Sequence, residues 1–145
     1  PGPALAPLAG LDDRCRPLLA ALADGEPPST RLRGECRRAE AFTRDLLRNR
    51  RLMDPSLSDA VESARERGIE VVIADDGPDD LAAVDQIRLR IAEALALANA
   101  VTVEVRILPP GRRCTMTVRI TRRQPETIDL LRYDKAGKLE AHYSP

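Results

Sequence analysis

Four aspartates within a short stretch, Asp75, Asp76, Asp79 and Asp80, are the densest group of potential metal ligands in this sequence. Clustered carboxylates are hard oxygen donors suited to calcium or magnesium, and Gly77 among them permits a tight turn. The spacing departs from an EF-hand loop, which needs a glycine at its sixth position and a glutamate at its twelfth. The stretch therefore reads as a solvated loop that favourably charges the start of the next helix, with Asp75, Asp76 and Asp79 as its metal candidates. His142 is the single histidine, and no triad or ligand set forms around it in the sequence. It reads as a surface or strand-paired residue. Cys15, Cys36 and Cys114 are odd in number and widely spaced, so they read as thiols of a reducing cytosol rather than a redox or metal site. With a single histidine and no CxxC pair among the scattered cysteines, the chain does not read as a Cys/His zinc cluster.

Charge excludes less than its total implies. Lys and Arg number 23 and Asp and Glu also 23, which argues against a protein held to nucleic acid mainly by phosphate contacts. The balance hides blocks, however. Thr30 to Met53 carries eight arginines against three acids, and Asp54 to Glu93 carries eleven acids against four arginines. Such blocks point to pairing within the chain or between subunits. Arg37, Arg38, Arg44, Arg48, Arg50 and Arg51 offer a nucleic-acid surface on one helix, but no aromatic interleaves with them for base stacking. No nucleic-acid partner is expected, and a DNA-binding regulator using this Arg-rich helix stands as an alternative. The preference for arginine over lysine, with abundant Ala, Leu, Asp and Pro, points to a GC-rich, actinobacterial genome.

Elements must position these residues. With aromatics at 2%, the core has to be aliphatic. Residues 1–10 read as a linker or disordered arm. Leu11, Cys15, Leu18, Leu19 and Leu22 have helical spacing through Ala23, with Pro17 a weakness. A second helix capped by Thr30 runs to about Arg51 and gathers Leu32, Cys36, Phe42 and Leu46 on one face. Together, residues 11–53 make an antiparallel helical hairpin. Its apolar stripe, with Leu18, Leu22, Leu32, Cys36, Phe42 and Leu46 as interface residues, is closed either by a second copy in a four-helix bundle or by the rest of the chain.

The segment 54–145 begins with a helix, capped by Asp54 before Pro55 and ended by Gly68. A strand over Ile69–Ile73, a helix from Leu81 to about Ala98 and alternating strands Val101–Ile107 and Cys114–Thr121 follow, the last two antiparallel. Strands Ile128–Tyr133 and Leu139–Tyr143 are joined by a turn in which Gly137 supplies positive φ. The predicted class is α+β: an N-terminal antiparallel helical hairpin, then a mixed, mostly antiparallel sheet with helices packed on one face.

The hairpin, the helix ending Glu66-Arg67-Gly68 before Ile69, and Arg90 to Ala100 running into Val101–Arg106 together resemble the dimerisation region and truncated ATPase domain of actinobacterial histidine-kinase-like proteins. The resemblance covers about Cys15 to Thr121 and rests on order and phrasing. It implies a helix with a glutamate base, matched by Glu93, and four residues on an asparagine that holds magnesium on the nucleotide phosphates. Leu97 stands at that position and has no oxygen to offer. Asn99 is the substitute candidate, turned about 200° along the helix. The glycine-rich acidic box expected after Thr121 is replaced by Arg122-Arg123-Gln124-Pro125-Glu126, and the first hairpin helix has no phosphoacceptor histidine.

The expected function is a noncatalytic signalling or regulatory domain, degenerate and histidine-kinase-like, acting by dimerisation and protein–protein contact. No catalytic residue and no cofactor are assigned. The enzyme alternative is a divergent ATP-binding protein using Glu93 and Asn99. Partners are a second copy and another signalling protein. No apolar run approaches the about 20 residues that span a bilayer. A cytoplasmic domain without membrane contact of its own is expected, including as the cytosolic part of a longer membrane protein.

Overall fold

A computed structural model describes residues 6–97, 99–123 and 126–144. The chain divides into two units, Pro1–Arg50 and Arg51–Pro145. The first is a helical hairpin, α1 (Ala6–Ala23) and α2 (Thr30–Arg48). The helix α1 starts at Ala6 rather than Leu11, so residues 6–10 are helical, not a linker, and residues 1–5 lie outside the described residues. Pro17 sits inside α1 without ending it; it faces solvent and costs a single amide donor. The cap of α2 is Ser29, one residue earlier than expected, whose hydroxyl accepts the Leu32 N–H at 3.0 Å. The helix stops at Arg48, where the Asn49 N–H donates to the Asp45 carbonyl.

The helices of the hairpin meet around Phe42. A Cβ on Gly10 would lie 3.7 Å from its ring, and the Arg14 guanidinium stands 4.1 Å from its centroid, a cation–π contact.

The second unit runs α3 (Pro55–Glu66), β1 (Glu70–Asp75), α4 (Val84–Leu95), β2 (Ala100–Ile107), β3 (Met116–Arg123), β4 (Glu126–Tyr133) and β5 (Leu139–Tyr143). Asp54 caps α3 by accepting the Leu57 N–H at 2.8 Å. The C-terminal end of α3 is a Schellman motif: Ile69 N–H bonds the Ala64 carbonyl and Gly68 N–H the Arg65 carbonyl, with Gly68 at φ 82°. This turn sends the chain directly into β1.

The sheet has the order β1-β2-β3-β4-β5, with β1 and β2 parallel and every later pair antiparallel. The fold is thus α+β with a mixed, mostly antiparallel sheet, and its helices α3 and α4 pack on it. Parallel pairing of β1 and β2 requires the crossover that α4 provides. Register carries β1 on to Asp75, opposite Ile107, two residues past the expected end. Alternation places Val71 and Ile73, Val103, Val105 and Ile107, and Met116, Val118 and Ile120 on the covered face, all buried. Leu57, Val61, Ile87, Ile91 and Leu95 are buried from the two helices, completing the aliphatic core demanded by the composition.

The helix α4 is shorter than its periodicity predicts. Leu81 N–H closes a turn on the Pro78 carbonyl and Ala83 takes a left-handed φ of 54°, so helical geometry begins only at Val84. Asp79 and Asp80 consequently lie in a turn ahead of the helix, and Asp85 is the acid of its first turn. At the other end α4 stops at Leu95; the expected terminal residue Ala98 lies outside the described residues.

Candidate functional site

The carboxylate of Glu93 is held by Arg90, whose Nη1 reaches its two oxygens at 2.9 and 3.2 Å. Arg90 Nε in turn donates to the Gly137 carbonyl at 3.0 Å, which fastens α4 to the turn between β4 and β5. This bonding to Glu93 raises the Arg90 pKa above its ordinary value. Tyr133, close by, has its phenol pKa pushed up by burial. Leu97 is partly exposed, with no oxygen at the expected metal-ligand position. Asn99 lies past the end of α4 in a left-handed turn at φ 66°. It lines a recess with Arg67, Ala100 and Arg123 at the start of β2, to which Glu93 does not contribute. The two nucleotide-site candidates therefore occupy different surroundings.

The acidic loop is organised around an arginine. Arg51 Nε and Nη2 meet the Asp75 carboxylate at 2.6 and 2.5 Å, a bidentate pair, and Arg51 Nη1 donates to the Pro78 carbonyl. Its hydrogen bonds to Asp75 raise the Arg51 pKa above the ordinary value. Gly77 N–H also donates to Asp75 Oδ1, at 3.1 Å. Asp76 pairs with Arg106 at 3.1 Å and its N–H bonds the Ile107 carbonyl. Asp79 and Asp80 are exposed. Of the metal candidates, then, Asp75 and Asp76 hold guanidinium groups, and among the described residues no group of three or more potential ligands converges. The Arg51–Asp75 pair joins the basic block of the sequence to its acidic block.

His142 is half exposed and bonds Asp129 at 3.2 Å, while Arg122 reaches the other oxygen of Asp129 at 2.9 Å. Register explains this polar group: Asp129 lies opposite Ile120 on the covered face of the sheet and is buried. The Asp129 pKa is lowered chiefly by a hydrogen bond from Ser144, against burial and with help from His142 and Arg122. Sequence reasoning missed Asp129. Ile128 and Leu130 on either side mark it locally as a wet-face residue, and only the pairing with Ile120 places it on the covered face.

In the hairpin, Leu32, Phe42 and Leu46 are buried within the single chain, Cys36 and Leu18 are half-buried, and Leu22 is 53% exposed. Among the described side chains, Leu19 and Leu22 are the large apolar residues of α1 that are exposed. On α2, Arg31 pairs with Glu35 and Arg44 with Glu40, each one turn away. These pairs offset part of the positive charge of α2. All three cysteines are free and half-buried.

Comparison with protein-family models, with curated proteins and with solved structures finds no match.

Proposed function

We propose that this chain is a noncatalytic signalling or regulatory domain, degenerate and histidine-kinase-like, which dimerises through its helical hairpin and contacts another signalling protein through its sheet unit. The observation that carries this reading is the state of α4. The glutamate that would act as base is tied to Arg90, and a leucine occupies the position of the metal ligand. A nucleotide held through magnesium needs oxygen ligands gathered at one place, and Glu93 and Asn99 do not share a recess. Support for protein contact comes from exposed apolar groups in each unit: Leu19 and Leu22 on α1, and Val72, Ile128 and Tyr143 on the sheet.

Titration calorimetry with ATP and magnesium tests the central claim. No binding heat is expected. Clear binding that Glu93→Ala abolishes replaces this reading with the ATP-binding alternative. Light scattering at micromolar concentration tests dimerisation, and a monomer removes that part. The DNA-binding alternative predicts a gel shift lost on Arg37→Glu with Arg38→Glu. Among the described residues no helix is long and apolar enough to cross a membrane. We place the domain in the cytoplasm, where it acts alone or as the cytosolic part of a longer membrane protein.

A further inference from the structure

Most arginines of the sheet unit are engaged. Arg51, Arg88, Arg90, Arg106, Arg119 and Arg122 each form an ion pair, and Arg67 donates to the Leu95 carbonyl. One end of the sheet differs. Arg113, Arg132 and Lys138 line a recess of about 560 Å³ that extends to Tyr143 on the edge strand β5. Arg112 and Lys135 line a neighbouring recess of about 320 Å³, and Cys114 belongs to both. Among the described residues none of these five cations forms an ion pair; Arg132 only stacks on the Tyr143 ring, 5.2 Å from its centroid.

The cations come from separate segments held rigidly together. The β2–β3 loop is closed by Leu108 N–H on the Thr115 carbonyl and tied to β4 by Thr115 N–H on the Tyr133 carbonyl. The β4–β5 turn is pinned because Asp134 Oδ1 accepts the N–H groups of Ala136 and Lys138, both at 2.8 Å. Those bonds use one oxygen of Asp134, whose carboxylate lines the larger recess together with Glu140, while Asp80 lines the smaller one. Both lysines of the chain stand in or beside this turn, and Gly137 gives it a φ of 74°. Arg90 secures the turn from α4.

We propose that this recess is an anion site for a small phosphorylated ligand, gripped by Arg113, Arg132 and Lys138, with Arg112 and Lys135 serving a second phosphoryl group. Guanidinium forks match phosphoryl oxygens in pairs, and an ammonium adds a point charge. A phosphoryl group carries about two negative charges and three acceptor oxygens, which suits convergent cations from several segments better than a single carboxylate does. A volume of about 560 Å³ is the scale of a small-molecule site. The site does not depend on the noncatalytic reading of α4, from which it is separate.

The test uses inorganic pyrophosphate in titration calorimetry on the full chain at low ionic strength. Binding is expected, and Arg113→Ser or Lys138→Ser should each weaken it about tenfold, the worth of one charge-assisted hydrogen bond. Both residues are exposed, so the variants keep the fold. Asn99→Gly, in the separate recess at the start of β2 and compatible with its positive φ, should leave pyrophosphate affinity unchanged, which separates this site from any nucleotide site there. Alkylation of Cys114 by iodoacetamide, followed by mass spectrometry of its peptide, should slow in the presence of pyrophosphate. Vesicles of phosphatidic acid form a parallel arm: binding to them that needs Arg113 and Lys138 assigns the phosphoryl group to a lipid, and binding only to the free anion assigns it to a soluble ligand. The proposal is overturned if pyrophosphate does not bind, if the substitutions leave its affinity unchanged, or if a polyglutamate peptide binds where pyrophosphate does not.

Discussion

Replacing Asp75 by Ala should destabilise the sheet unit more than any other single change to its charged residues. The substitution leaves the Arg51 guanidinium, 27% exposed, without its bidentate partner, and removes the acceptor of the Gly77 N–H. Breaking a fully buried ion pair costs about 3–5 kcal/mol and an exposed pair about 0–1 kcal/mol. With Asp75 only 5% exposed and Arg51 somewhat more, the expected cost is about 2–3 kcal/mol. Arg51→Met should be similarly costly because it removes the bidentate cation from a buried carboxylate. The double variant Arg51→Met with Asp75→Leu should lose less than the sum of its parts, giving a coupling of about 1–2 kcal/mol. The assay is built into the composition: the chain has two tyrosines and no tryptophan, and Tyr133 and Tyr143 both belong to the sheet unit. Tyrosine fluorescence during urea denaturation therefore follows that unit alone. Midpoints should fall at unchanged slope. Losses under about 0.5 kcal/mol, or additivity within that margin, refute the reasoning that the acidic loop is an arginine clamp.

Three further outcomes follow from the same geometry. Gly77→Ala places a Cβ 2.6 Å from Ile107 Cγ2 and 2.9 Å from Arg51 Nη2, and since Ile107 is fully buried the variant should lose about 1–3 kcal/mol by the same tyrosine assay. Asp129 has a native pKa below its unfolded value of about 3.9, so its contribution to stability is complete above that pH and is lost as pH falls through the lower native value. Denaturation across that acid range should show a loss in the natural protein that Asp129→Asn abolishes; an identical acid limb in both contradicts the assignment. Leu22→Glu, at an exposed position on α1, should convert a dimer to a monomer in light scattering while leaving helical circular dichroism intact, and a dimer that persists moves the interface elsewhere.

Legibility differed by level. Every helix and strand followed from periodicity and capping, because those signals are local: Asp54 before Pro55 starts α3, Gly68 ends it, and alternation marks β2 and β3. Boundaries slipped where backbone geometry intervened. The left-handed Ala83 delayed α4, and parallel pairing with β2 drew β1 out to Asp75. The candidate sites were less legible. The aspartates of the acidic loop looked like metal ligands because nothing local identifies Arg51, 24 residues earlier, as the partner of Asp75. The arginines and lysines around Cys114 were passed over because Arg113, Arg132 and Lys138 come from different segments.

By itself the sequence determined the α+β class, the strand and helix order, the aliphatic core and the missing oxygen at Leu97. Each depends on residue type and on spacings shorter than one element. Tertiary structure alone decided which charges meet. It assigned Asp75 to Arg51, Glu93 to Arg90 and Asp129 to Arg122 and His142, and it gathered cations around Cys114 that form no ion pair among the described residues. The physical reason is that an ion pair forms through proximity across elements. Sheet register and the course of the loops set that proximity, and neither is encoded in the identity of the two partners.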